Sequence, residues 1–118
     1  MAYPDHINPT EATIIDAILI AALAKGYVVS VCDGEEWSLR RSSDIEAIRA
    51  EVAASDETTL MFRDPANLRP DGAPARVGSV FLVHGNGCDV IGDNSDNAEM
   101  NNLLAPAMEI AKRMEVVW

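Results

Sequence analysis

The alternation of apolar and polar positions divides the chain into eight segments that read as α-β-β-α-β-β-β-α. In the first, Ile14, Ile15, Ile18, Leu19, Ala22 and Leu23 recur at helical spacing. Ahead of them Asn8 stands as a cap, Pro9 takes the first helical position, and Glu11 is placed to reach back to the cap amide, so a helix is predicted to about Lys25. Gly26 follows, where a left-handed residue commonly closes a helix. Ile20, Ala21 and Ala24 leave little polar surface on the other sides of this helix, which therefore calls for cover on more than one side. Two sources compete: a second copy of the chain, giving a homodimer through the first helix, and the rest of the monomer.

Residues 27–32 are rich in β-branched side chains and read as a strand. Asp33 and Gly34 then suit a tight hairpin turn, and 37–41 returns as a second strand. Ser43 with Glu46 has capping-box spacing and opens a helix over 44–54, whose Ile45, Ile48 and Val52 share a face. A third strand is predicted at 58–63. The following 64–75 contains three prolines and one glycine, with Leu68 as its only sizeable apolar residue, and reads as the one long loop. Residues 77–84 form a fourth strand with Val77, Phe81 and Val83 on one face and Val80 and Leu82 on the other, a two-sided apolar pattern that predicts a central position. Gly85, Asn86 and Gly87 turn the chain into a short strand at 89–91. A last helix is expected from Asp96, which has Glu99 at capping-box spacing, with a kink or a break around Ala105 imposed by Pro106. Hairpins joining neighbours make this an α+β fold: a mostly antiparallel five-stranded sheet with about three helices packed on one face.

Composition narrows the function classes. A length of 118 residues, 48% hydrophobic and 24% charged, suits one ordered domain over residues 1–118. The net charge of −10 repels phosphate backbones and anionic membranes, so no direct nucleic-acid binding and no membrane binding are expected. The apolar stretch 17–24 lies between Asp16 and Lys25, far short of the roughly eighteen residues of a membrane span. Cys32 and Cys88 allow at most one internal bridge, and MAYPDHINP lacks a basic region followed by an apolar run, which together predict a reducing, cytoplasmic setting.

Chemistry concentrates in 76–104, where Asp89, Asp93, Asn94, Asp96 and Asn97 are brought to one edge of the sheet, either to bind a ligand or to finish turns and cap a helix. A calcium loop matches at Asp93, Ser95 and Asn97 but has Ala98 where glycine is required and Leu104 where a bidentate glutamate belongs, so no metal is expected. His84, Cys88, Asp89 and Asp93 form the one local set containing a nucleophile, a base and a carboxylate, and define a small-ligand or hydrolytic alternative. Glu35 and Glu36 read as a solvated hairpin tip. Gly85, Gly87 and Gly92 lack the Lys-Ser/Thr of a phosphate loop, so no cofactor is expected. Trp37 with Arg40 and Arg41 has the residue types that dominate protein interfaces, against the alternative that Trp37 packs in the core. The strong acidity also permits mimicry of nucleic acid toward a basic groove on a partner.

The stretches DGEEWSLRRSSDIEAI and GNGCDVIGDNSDN resemble those of small proteins carried by tailed bacteriophages and prophages, over most of residues 26–111. No activity is attached to that group. The resemblance implies a phage or bacterial origin and an accessory protein that binds a host or phage component. The expected function is therefore non-enzymatic: binding of a protein partner through an acidic surface, with no catalytic, metal or cofactor residues assigned.

Overall fold

The computed structural model describes residues 9–33, 36–54, 57–84 and 90–117. The elements run α1 (Pro9–Ala24), β1 (Val28–Cys32), β2 (Trp37–Ser42), α2 (Ile45–Val52), β3 (Glu57–Leu68), β4 (Pro74–Val83), β5 (Ile91–Asn94) and α3 (Ala98–Val117). The strands form one five-stranded sheet of order β2-β1-β3-β4-β5, antiparallel throughout. This is the α+β architecture that the hydrophobic pattern predicts.

Strand register explains where the core lies. Val31, Leu60 and Val80 stand opposite one another across β1, β3 and β4, as do Val29, Phe62 and Gly78. Alternation along each strand puts these residues on one face. There they are buried against Ile14, Ile15, Ile18, Leu19 and Ala22 of α1, Ile48 and Val52 of α2, and Met100, Leu103, Leu104 and Ala107 of α3. α1 is thus covered from within the chain by the sheet and by α3, and Ile20, 57% exposed, is the large apolar residue of the helix left in solvent. Gly78 allows a close approach of α3 to β4: a Cβ there would collide with Met100 Cγ and come within 3.0 Å of Ser95 Cβ. Arg49 ties α2 to α1 by gripping Asp16 through Nε at 3.0 Å and Nη2 at 3.1 Å, while Nη1 holds Glu46.

Several boundaries differ from expectation for local reasons. The cap of α2 is Asp44, whose carboxylate accepts the Glu46 N–H at 3.1 Å, and not Ser43. Residues 64–75 are mostly strand: β3 runs on to Leu68 and β4 begins at Pro74, with Arg69 N–H donating to Ala73 O and Gly72 at φ +85° closing the turn. The register shift between Asp64 and Leu68 accommodates Pro65, which has no N–H to give to the ladder. β5 lies at Ile91–Asn94; Val90, just ahead of it, is buried in the core and accepts the Val83 N–H at 2.8 Å. α3 starts after Asn97, whose Oδ1 accepts the Met100 N–H at 2.8 Å, and not after Asp96. It then continues through Pro106 without a break; Pro106 and Asn102, whose carbonyl loses its helical donor, are both exposed, so water can take that bond. Gly26 closes α1 at φ +81°, as the sequence predicts. Asn8 and the Gly34–Glu35 tip lie outside the described residues.

Candidate functional site

The polar run after β4 divides between structural duties. Asn97 caps α3 and also donates through Nδ2 to Val77 O at 3.1 Å, which pins the helix start to β4. Asp96 accepts from Asn101 Nδ2 at 3.2 Å, Asn94 Nδ2 donates to Ser95 O at 3.0 Å, and Asp93 accepts the N–H of Asn94 at 2.9 Å. Ser95 Oγ accepts the Ser79 N–H at 3.0 Å, which continues the sheet edge beyond β5.

His84 and Asp93 are not brought together. His84 continues the helix-side positions of β4 after Val80 and Leu82, and its Nε2 is 3.3 Å from the Oγ1 of buried Thr58, beside the end of α2. Asp93 stands opposite Phe81, on the other face of the sheet. Cys88 and Asp89, the other members of the proposed hydrolytic set, lie outside the described residues. Among the described residues no group of three or more His, Cys, Asp or Glu side chains is arranged to hold a metal ion, and no helix is long and apolar enough to cross a membrane.

The structure assembles something different on the second face of the sheet, which none of the described helices covers. Two rows of residues cross it. Trp37, Cys32, Thr59, Phe81 and Asp93 are register partners across all five strands, and Ser30, Met61 and Ser79 form the adjacent row. Trp37, Cys32, Phe81 and Val83 are half-buried and belong to no part of the helix-side core. Trp37 therefore lies on the surface reading of the sequence and not in the core. Cys32 is a free thiol.

At the β2 end of this face Ser30, Trp37, Arg40, Arg41, Met61 and Arg63 line a small concavity that is open to solvent. Successive side chains in a strand normally point to opposite faces. Here Leu39 pairs with Val31 and Ser42 with Val29, so β2 has one residue more than β1 in this interval, and Arg41 adopts φ 51°. The result is a β-bulge that turns both Arg40 and Arg41 into one concavity. The Arg41 N–H is fixed by the Oγ of Ser30 at 2.9 Å, and Ser30 is only 7% exposed. Arg63 is held from behind, donating from Nη1 to Pro74 O at 3.1 Å. Among the described residues, no carboxylate forms an ion pair with Arg40, Arg41 or Arg63; those pairs involve Arg49, Arg69 and Arg113. The hairpin tip approaches closely enough for the field of Arg41 to be felt: the Asp71 carboxyl is held below its ordinary range chiefly by the N–H of Ala73, with Arg69 and then Arg41 adding to the effect.

The opposite end of the face has other chemistry. Ser79, Phe81, Asp93, Asn94 and Ser95 line a shallow polar hollow over β4 and β5. The uncovered face is thus guanidinium-rich at one end, beside Trp37, and carboxylate-bearing at the other, beside Phe81. Sequence reasoning singled out Trp37, Arg40, Arg41 and Asp93 but passed over Ser30, Met61 and Arg63. The signal was present in β3, where Leu60, Met61 and Phe62 make three consecutive apolar residues and so populate both faces of a strand. No protein-family model, curated protein or solved structure matches the chain.

Proposed function

We propose that the protein is a non-enzymatic accessory protein, phage or prophage in origin and cytoplasmic in setting, which acts by binding a protein partner. The uncovered sheet face is the contact surface, and the acidic surroundings steer the approach of a partner that is basic over the rest of its contact area. One observation carries this reading: the row from Trp37 through Cys32, Thr59 and Phe81 to Asp93 puts two half-buried aromatic side chains, Trp37 and Phe81, on a sheet face that none of the described helices covers. Aromatic and arginine side chains of this kind supply most of the binding energy at protein interfaces. The opposed charges at the two ends fix the orientation of a partner. A hydrolytic site built on both His84 and Asp93 gains no support, since the two are turned to opposite faces.

The test is competitive capture from bacterial and phage-infected lysates on immobilised protein, comparing wild type with Phe81→Ser on the uncovered face and Ile20→Lys on α1. A polypeptide retained by wild type and by I20K but lost with F81S is the expected result. Retention indifferent to F81S removes the face from the reading. Homodimerisation through α1 is a separate proposal that rests on Ile20: light scattering should give a dimer mass that falls to a monomer in I20K, and a monomer mass for wild type ends it.

A further inference from the structure

We propose that the concavity of Ser30, Trp37, Arg40, Arg41, Met61 and Arg63 receives a single carboxylate side chain of the protein partner, flanked by an apolar group that lies against Trp37. This deepens the partner-binding reading and rests on it for the source of the carboxylate. Three of the nine basic residues of a chain with net charge −10 converge here. None is neutralised by a described carboxylate, although acids outnumber bases nineteen to nine. A protein this acidic readily supplies counter-charges, as it does for Arg49 with both Asp16 and Glu46. Guanidinium groups left open beside an indole form a planar fork that matches a carboxylate in two parallel hydrogen bonds.

The backbone points the same way. A left-handed conformation is costly for arginine, and glycine or asparagine is the usual occupant of such a bulge. Arg41 accepts that strain, and the consequence is a second guanidinium beside that of Arg40 on the same side of the strand. Met61, 9% exposed, closes the floor with a polarizable surface suited to an apolar neighbour of the anion. A nucleic acid fits less well: it presents a line of phosphates, whereas the basic residues here form one island inside an acidic molecule whose net field opposes a polyanion. One carboxylate within an otherwise basic contact surface meets the island at short range and is compatible with the rest of the field.

The probe is a capped pentapeptide, Ala-Phe-Glu-Phe-Ala, with its Glu→Gln analogue and an oligothymidine of eight nucleotides as comparators. Each is titrated at low salt while the Trp37 indole N–H is followed by NMR. The Glu peptide should shift that signal and bind at least about tenfold more tightly than the Gln analogue, in keeping with a charge-assisted pair. Arg40→Gln and Arg41→Gly should each weaken it, and the double variant should lose about tenfold or more, with the fold checked by circular dichroism. Arg40 is exposed on an edge strand, so R40Q reads the effect even if the double variant is unstable. Equal binding of the Glu and Gln peptides, no Trp37 shift at millimolar peptide, or an affinity unchanged in R40Q and R41G overturns the proposal; tighter binding of oligothymidine overturns it in favour of nucleic acid. If the peptide fails while F81S still abolishes capture of a partner, the pocket inference falls alone and the contact face stands.

Discussion

Replacing Arg41 by glycine should make the protein more stable while depriving the basic concavity of one of its guanidinium groups. The backbone at Arg41 has φ 51°, a conformation that costs a non-glycine residue about 1–2 kcal/mol. Glycine removes that cost but gives the unfolded chain extra freedom, which takes back about 0.4–1 kcal/mol. The hydrogen bond from the residue 41 N–H to Ser30 Oγ belongs to the backbone and survives the change. The net expectation is a gain of about 0.5–1 kcal/mol, a rise in melting temperature on the order of 2–4 °C for a domain of this size. Arg41→Ala serves as the contrast, because it deletes the guanidinium and keeps the strained φ, so it should show no such gain. Thermal and urea denaturation followed by far-ultraviolet circular dichroism measure both. An R41G protein less stable than wild type by about 1 kcal/mol or more would mean that the side chain supports the fold. Identical gains in R41G and R41A would mean that the backbone at this position is not strained. Either result refutes the account of the bulge as a strained device for holding two arginines together.

Three further changes probe the scaffold. Gly78→Ala should destabilise by about 1–3 kcal/mol through overpacking against Met100, and the loss should shrink in the Gly78→Ala/Met100→Ala double variant, giving a coupling of about 1 kcal/mol or more in a denaturation cycle; additivity would separate Gly78 from α3. Arg49→Lys should lose about 1 kcal/mol despite keeping the charge, because Asp16 is gripped by two nitrogens of one planar group that an ammonium cannot reproduce; a stability equal to wild type would reduce the contact to an ordinary surface pair. The Tyr27 hydroxyl is pushed above its ordinary value by burial first and by the nearby Asp64 and Glu99 carboxylates next. The unfolded tyrosine therefore gives up its proton at lower pH than the folded one, and the stability that Tyr27 contributes below a pH of about 10 fades as the pH climbs beyond it. Tyr27→Phe should flatten that alkaline decline in a urea-melt series, and an unchanged slope would locate the decline elsewhere.

Much of the architecture was legible because single residues carry unambiguous signals. Gly26 marks the end of α1, the β-branched run marks β1, and Val80 and Leu82 against Phe81 and Val83 mark an interior strand. That last pattern predicts a central position, and β4 is interior to the sheet. The helices were expected on one face, and none of the described helices lies over Phe81 and Val83, so this unclaimed half of the pattern is the candidate contact face. Capping residues were shifted by one because Ser43 and Asp44, like Asp96 and Asn97, are adjacent good caps, and only the surrounding tertiary contacts choose between them. Pro65, Pro70 and Pro74 suggested a loop because proline withholds a ladder donor, but a hairpin arm with a register shift tolerates it. The bulge in β2 was invisible: arginine at a left-handed position follows no local preference, and nothing in LRR says that two neighbouring side chains will share a face.

The helix that completes the core follows every strand of the sheet in the chain. Met100, Leu103, Leu104 and Ala107 reach the isoleucines of α1 only after every strand has been made. While the chain is still growing, the hairpin of β3 and β4 can pair early because its contacts are close in sequence. The greasy side of that intermediate has only α1 and α2 to shelter it until α3 leaves the ribosome, and during that interval the nascent polypeptide is exposed to clumping and to quality-control proteases.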